Sequence, residues 1–287
     1  MSKWYQPYLE VFNVDIDHVP KHVFQKVQSQ LASFSHAQPL LSIVVIAYNE
    51  DRHLLACLWT LANQLCSQPV EIIVVNNNST DRTEELLKGL NARYYNEPNQ
   101  GPGFARQCGL DHATGQYVLC VDADTLYPPQ YAETHLKALS KIGVSATFSL
   151  WSFIPQVGQS TLFLYAYETL RDLYLNLQYM KRPELCVRGM VFSFRTELGR
   201  QVGFRTDIKR GEDGSMALGL KKFGKIVFIR SHKARAITGQ NTLRADGSLM
   251  KSFFIRLRKA FSSVTGLFSK KDQYKDEDSN LIDPKNK

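Results

Sequence analysis

The chain has 287 residues, 44% hydrophobic and 22% charged, with a formal net charge of +8. That is enough to bury a sizeable core in one principal domain. No apolar run reaches the roughly 18 residues of a membrane-spanning helix, and residues 1–10 lack the charged-then-apolar pattern of a signal peptide, so a cytoplasmic protein is expected. Cys57, Cys66, Cys108, Cys120 and Cys186 are odd in number and scattered without CxxC spacing. They read as reduced thiols rather than a disulfide framework or a zinc knuckle.

Residues 1–38 are a polar extension with interspersed aromatics, Trp4, Tyr5, Tyr8 and Phe12. The run from Leu40 to Ala47 is continuous, apolar and rich in β-branched residues, which fits a parallel strand covered on both faces. Helix and strand patterns then alternate. His53 to Leu65 reads as a helix and Val70 to Val75 as a strand. Ser79 or Thr80 stands where a cap would start a helix through Leu90. Ala92 to Tyr95 reads as a short strand, Pro102 to Ala113 as a helix and Gln116 to Val121 as a strand. This alternation predicts a mostly parallel, doubly wound sheet whose ligand binds beyond the carboxyl ends of the strands. Further on, Gln130–Lys141 and Thr161–Met180 read as helices, and Val144–Leu150, Met190–Phe194 and Lys225–Ile229 as strands. The main domain is expected over 39–240, a basic helix over 241–269 and a disordered tail over 270–287.

Chemistry collects in the loops after the strands. Asp122 and Asp124 place two carboxylates at a strand end, where side chains project into the ligand crevice. A hard divalent cation takes one or two carboxylates together with waters and substrate phosphates, and neutralises a departing diphosphate. The alternative is an aspartate pair that only caps its own loop. Asn76 to Asp81 either presents amides and backbone N–H groups to a nucleotide or is a strand-to-helix turn with its cap. Tyr48, followed by Asn49 and Glu50, offers a ring for a base to stack on, or is a packed tyrosine. From Gly101 to Arg106, glycines permit close backbone approach and the Arg106 guanidinium can grip phosphate or carboxylate, or the glycines serve only the turn. Glu212 and Asp213 precede a helix expected over Ser215–Phe223. One of them can remove a hydroxyl proton as general base, or the pair is an ordinary acidic helix start.

Taken in sequence order, Tyr48-Asn49-Glu50, Asn76 to Asp81, Asp122-Ala123-Asp124 and Gly211-Glu212-Asp213 resemble the family-2 glycosyltransferases of GT-A fold, over roughly Leu40 to Arg235. The resemblance implies a Rossmann-like α/β domain with a mostly parallel sheet flanked by helices. It also implies an inverting transfer from a nucleoside-diphosphate sugar, with Mn or Mg as cofactor. Carried over, Tyr48 and Asn77 contact the base, with Glu50 and Arg106 also on the nucleotide sugar. Asp122 lies on the ribose side, Asp124 on the metal, and Asp213 deprotonates the acceptor with Glu212 next in line. His232, just after a late strand, stands where related enzymes sometimes place another metal ligand, or is a structural histidine. Asparagines replace the usual second-strand aspartates, which widens the choice of base, although a UDP-sugar is expected. The QxxRW pattern of processive synthases is absent, implying single transfers. The implied acceptor is a carbohydrate or lipid-linked hydroxyl, with no nucleic-acid partner.

Two rival readings remain: a non-catalytic nucleotide-sugar or nucleic-acid binding protein, and a nucleotidyltransferase. Neither an RNA-binding signature nor a helix-turn-helix is present, and a nucleotidyltransferase needs no acceptor-side base at Asp213. Charge is concentrated late: residues 244–275 hold eight Lys and Arg against two Asp. Phe254, Leu257, Phe261, Val264 and Phe268 form one apolar stripe there, with Arg256 and Lys259 opposite. Such a helix either lies on an anionic membrane surface, placing the protein on the membrane's inner face, or packs on its own domain.

Overall fold

A computed structural model describes residues 4–34, 38–155 and 159–239. The basic helix expected over 241–269 and the tail over 270–287 lie outside the described residues. Helix α1 (Lys21–Ala32) belongs to the extension, and its Val23 and Val27 are buried in the same core as the rest of the protein. Tyr8, also in the extension, packs edge-on to Trp59 with ring centroids 4.9 Å apart. Residues 4–34 therefore cover the domain rather than trail from it.

The central motif is β1 (Leu41–Ala47), α2 (Leu54–Ala62), β2 (Val70–Asn76), α3 (Thr83–Gly89), β3 (Tyr94–Asn96), α4 (Pro102–His112) and β4 (Tyr117–Asp122). β5 (Thr125–Leu126), α5 (Tyr131–Leu139), β6 (Val144–Ser149), β7 (Trp151–Phe153) and α6 (Thr161–Tyr179) follow. The described chain closes with β8 (Phe192–Arg195), α7 (Thr196–Val202), α8 (Glu212–Leu220), β9 (Lys225–Ile229) and β10 (Ala236–Thr238). Seven strands form one sheet in the order β3-β2-β1-β4-β8-β6-β9, and β5-β10-β7 form a small second sheet. β1 is apolar on both faces apart from the buried Ser42, because it lies inside the sheet, parallel to both β2 and β4. α4 packs on β1 and β2, and Gly109 makes this possible: a Cβ there would lie 2.2 Å from Val44 Cγ1.

Register aligns the business ends. Ile46 of β1 pairs with Asp122 of β4, and Ala47 pairs with Asn76 of β2. The chain runs outward from β1 to β2 and β3 on one side and crosses to β4 on the other, so the strand order reverses beside β1. Open α/β sheets bind ligands at such a switch point.

Three local expectations change. β8 runs antiparallel to both β4 and β6, which a short apolar run cannot reveal. α3 begins at Thr83, because the Ser79 hydroxyl accepts from Asn49 N–H and Thr80 N–H donates to Asn49 Oδ1, leaving neither free to cap. Asp81 takes that place, accepting from Thr83 N–H at 2.9 Å. α8 begins at Glu212 rather than Ser215, since Gly211 (φ 94°) turns the chain in a left-handed conformation and the two acids then favour the helix's positive end.

Candidate active site

A cavity of about 330 Å³ opens beyond β1 and β4, lined by Tyr48, Glu50, Asn77, Gly101, Asp122 and Asp124 among others. Tyr48 is 44% exposed, so its ring is available rather than packed. Glu50 receives a hydrogen bond from His53 (Nδ1 to Oε2, 2.8 Å). Burial works against a charge on His53, but Glu50 outweighs it and raises the imidazole's affinity for a proton. His53 was not singled out from the sequence. Its position three residues after Glu50, at a helix start, was the available signal.

Asp124 carries the strongest electrostatic tension in the cavity. Burial first, then the charges of Asp122 and Glu50, push its carboxyl up to about 7. The Thr125 hydroxyl donates to Oδ1 at 3.1 Å and offsets only part of this. Three carboxyl groups thus share one cavity whose lining, among the described residues, holds no Lys or Arg. A divalent cation beside these carboxylates would offset their repulsion of a nucleoside diphosphate. Among the described residues no set of three or more His, Cys, Asp or Glu has metal-ligand geometry. The donors fit a hard cation that takes one or two carboxylates from the protein and completes its shell with water and substrate phosphates.

Asn77 lines the cavity, but its amide is fully engaged. Nδ2 donates to the carbonyls of Glu97 and Asn99, and Oδ1 accepts from Gly101 N–H at 2.8 Å. It therefore shapes the rim over 97–101, presenting backbone rather than its own side chain. Asn76 is buried and donates to Asn96 Oδ1.

Arg106 sits behind the cavity. Its side chain is 4% exposed, with Nη2 on Asp122 Oδ1 at 2.7 Å and Nε on Glu212 Oε1 at 3.3 Å. Of the two partners expected for it, phosphate or carboxylate, it holds carboxylates, because a guanidinium on the buried face of α4 requires charged partners within the protein. Gly189 lets the guanidinium lie over the backbone, since a Cβ there would meet Nη2 at 2.0 Å. The same Gly189 donates its N–H to Asp213 Oδ2 at 2.8 Å. Asp122, Arg106, Glu212 and, through Gly189, Asp213 are thus one connected set, assembled from four separate stretches of chain. Burial, followed by the neighbouring Asp213 charge, raises the Glu212 pKa, with Arg106 opposing. Glu212 is 6% exposed, whereas Asp213 is half-buried, its Oδ1 accepting from Gly214 N–H at 2.7 Å and its Oδ2 from Gly189 N–H.

His232 stands apart from this set. It is exposed and lines a different, larger cavity with Arg235 and Glu168. All five cysteines are free, four of them buried.

The sequence model described as Glycosyl transferase family 2 matches residues 42–195, more than half of the chain. The chain is similar to the putative glycosyltransferase EpsH of Bacillus subtilis, 34% identical over 104 residues that cover 34% of this chain and 30% of that one. It is also similar to the uncharacterized glycosyltransferase YibD of Escherichia coli, 32% identical over 120 residues that cover 39% and 35%. The matched stretches therefore span about a third of these relatives' length. Among solved structures, the mannosyltransferase PcManGT from Pyrobaculum calidifontis, in complex with GDP-Man and Mn2+, superposes with a TM-score of 0.55 at 19% identity, covering 86% of this chain and 76% of that one. Glucosyl-3-phosphoglycerate synthase from Mycobacterium tuberculosis, with Mn2+, UDP-glucose and phosphoglyceric acid, gives a TM-score of 0.51 at 19% identity, covering 85% and 86%. At such identities the likeness establishes the GT-A fold.

Proposed function

The chain belongs to glycosyl transferase family 2, and from that premise we propose that it moves a sugar from a nucleoside-diphosphate sugar to an acceptor hydroxyl with inversion, in glycan, cell-envelope or glycolipid synthesis. The observation that carries this reading is the crowding of Glu50, Asp122 and Asp124 in one cavity at the switch point of the sheet. Asp124, with Asp122 beside it, would hold a divalent cation, which supplies charge neutralisation to the departing diphosphate. Tyr48 stacks on the base, and the Asn77-braced rim over 97–101 borders the nucleotide with backbone groups. Asp122, fixed by Arg106, lies on the ribose side.

Asp213 is the general base. It is half-buried and oriented by Gly189 N–H, while the more deeply buried Glu212 beside it is occupied by Arg106. It takes the proton of the acceptor hydroxyl as the oxygen attacks the anomeric carbon from the face opposite the leaving group. One displacement needs only this one carboxylate as base, unlike the paired carboxylates of glycoside hydrolysis. The related structures hold GDP-Man and UDP-glucose, so uridine and guanosine diphosphate sugars are the donors to test, uridine first. The acceptor is a carbohydrate or a lipid-linked hydroxyl, reached from the inner membrane face. Among the described residues no helix is long and apolar enough to cross a membrane.

The test is product analysis with each donor. Release of a nucleoside diphosphate with an inverted anomeric bond supports the reading, and release of pyrophosphate refutes it. Asp213→Asn should keep donor affinity and lose about 10²–10⁴ in turnover.

A further inference from the structure

α6 is apolar on both sides. Leu164, Tyr167 and Leu175 are buried, and the buried Glu168 anchors the helix by accepting from the Ser152 hydroxyl and Phe153 N–H. On the other side Leu162, Tyr165, Leu170, Leu173, Leu177 and the C-cap Met180 are 76, 58, 50, 57, 52 and 72% exposed. These are six of the ten large hydrophobics exposed among the described residues, so the exposure is concentrated rather than scattered. At helical spacing they span about 140° of circumference over roughly 27 Å.

No charge interrupts this face. Arg171 and Asp172 of α6 are mostly buried and pair with each other at 2.7 Å, and Asp172 also pairs with Arg235 at 2.7 Å. Among the described residues, exposed cations border it: Lys181 just past the helix, Arg230, whose Nε donates to Asn176 of α6, and Lys233, next to the His232 that shares a cavity with Leu162 and Tyr165. The nearby Glu184 is buried and held by Arg182 and Lys221. At the N-terminal end, Leu162 and Tyr165 continue into the cavity of about 820 Å³, where Trp4, Tyr5 and Phe153 add aromatic surface.

We propose that this face of α6 docks on an anionic bilayer, with its leucines at the acyl boundary and Lys181, Arg230 and Lys233 against lipid phosphates. An uninterrupted apolar stripe with a cationic rim is the chemistry of an interfacial helix. A second copy fits worse, because two-fold pairing of this patch sets its cationic rims against each other. Residues 244–275, with eight basic residues against two acidic ones, suit the same anionic surface by their charge. The surface deepens the membrane-face reading above, and its test reads lipid binding rather than sugar transfer, so either can fail alone.

The full chain is sedimented with vesicles of phosphatidylcholine, and of phosphatidylcholine mixed with phosphatidylglycerol, at low and high salt. Binding to the mixed vesicles that weakens with salt is expected. The double variant Leu173→Ser/Leu177→Ser should lose at least about tenfold in partitioning, since two leucines leave the acyl boundary. Its melting temperature should hold, because both side chains are more than half exposed. A companion variant, Leu257→Ser/Phe261→Ser, reports the late segment's own share. Wild-type failure to bind anionic vesicles overturns the proposal, as does full binding by the α6 variant whatever the companion does. A dimer that the α6 variant splits, without vesicle binding, also overturns it and assigns the face to a second copy.

Discussion

Replacing Arg106 with methionine leaves the Glu212 side chain, 8% exposed, and the Asp122 side chain, 32% exposed, without the guanidinium that both contact. Removing one partner of a buried ion pair costs about 3–5 kcal/mol, because the remaining charge is buried and uncompensated. The shorter contact is to Asp122, yet most of the loss belongs to Glu212, since solvent screens the more exposed Asp122. Burial already raises the Glu212 pKa, so the variant can recover part of the loss by protonating it. The destabilisation should therefore grow as pH rises. At roughly 2–4 °C per kcal/mol for a domain of this size, Arg106→Met should melt about 6–20 °C below wild type near neutral pH. Adding Glu212→Gln should restore part of this, giving a coupling of about 1–3 kcal/mol in a double-mutant cycle. Calorimetric melts in EDTA keep cation binding out of the measurement. A loss below about 1 kcal/mol, or strictly additive losses, would refute the assignment of Arg106 as the buried counter-charge.

Asn77→Ala removes three hydrogen bonds at the rim and should cost about 1–3 kcal/mol while raising the donor KM. An unchanged KM would show that the 97–101 rim does not border the donor. His135 of α5 is fully buried among the hydroxyls of Thr147, Ser149 and Ser193, and burial lowers its pKa from 6.5 to about 3. The unfolded chain binds that proton first, so stability is complete above about pH 6.5 and falls toward pH 3 by at most about 1.4 kcal/mol per unit. His135→Asn should flatten this acid limb in denaturant titrations, and an unaltered slope would contradict the buried neutral imidazole.

The parts of the fold legible in the sequence are those set by local pattern. The apolar, β-branched run of β1 reads as an interior strand, and Asp122 ends β4 with Asp124 two residues on, so their place at its carboxyl end came with the strand. What stayed hidden depends on distant chain. Nothing near Arg106 in sequence shows that Glu212, 106 residues away, takes its guanidinium. Asn77 looks free for a ligand until the loop over 97–101 folds back on it. His232 follows a late strand as expected, yet the three-stranded sheet carries it to another cavity. The apolar residues of α6 announced a long helix, but periodicity cannot say whether protein or another phase covers each face.

The central claim is that a cation held at Asp124 makes this acidic cavity a nucleotide-sugar site. It is tested most directly by isothermal titration of uridine and guanosine diphosphate sugars into wild type and Asp124→Asn, each with Mn2+ and with EDTA. One nucleotide class should bind wild type with Mn2+, weaken at least about tenfold in EDTA, and show no such difference in Asp124→Asn. Equal affinity in all four conditions would contradict the claim.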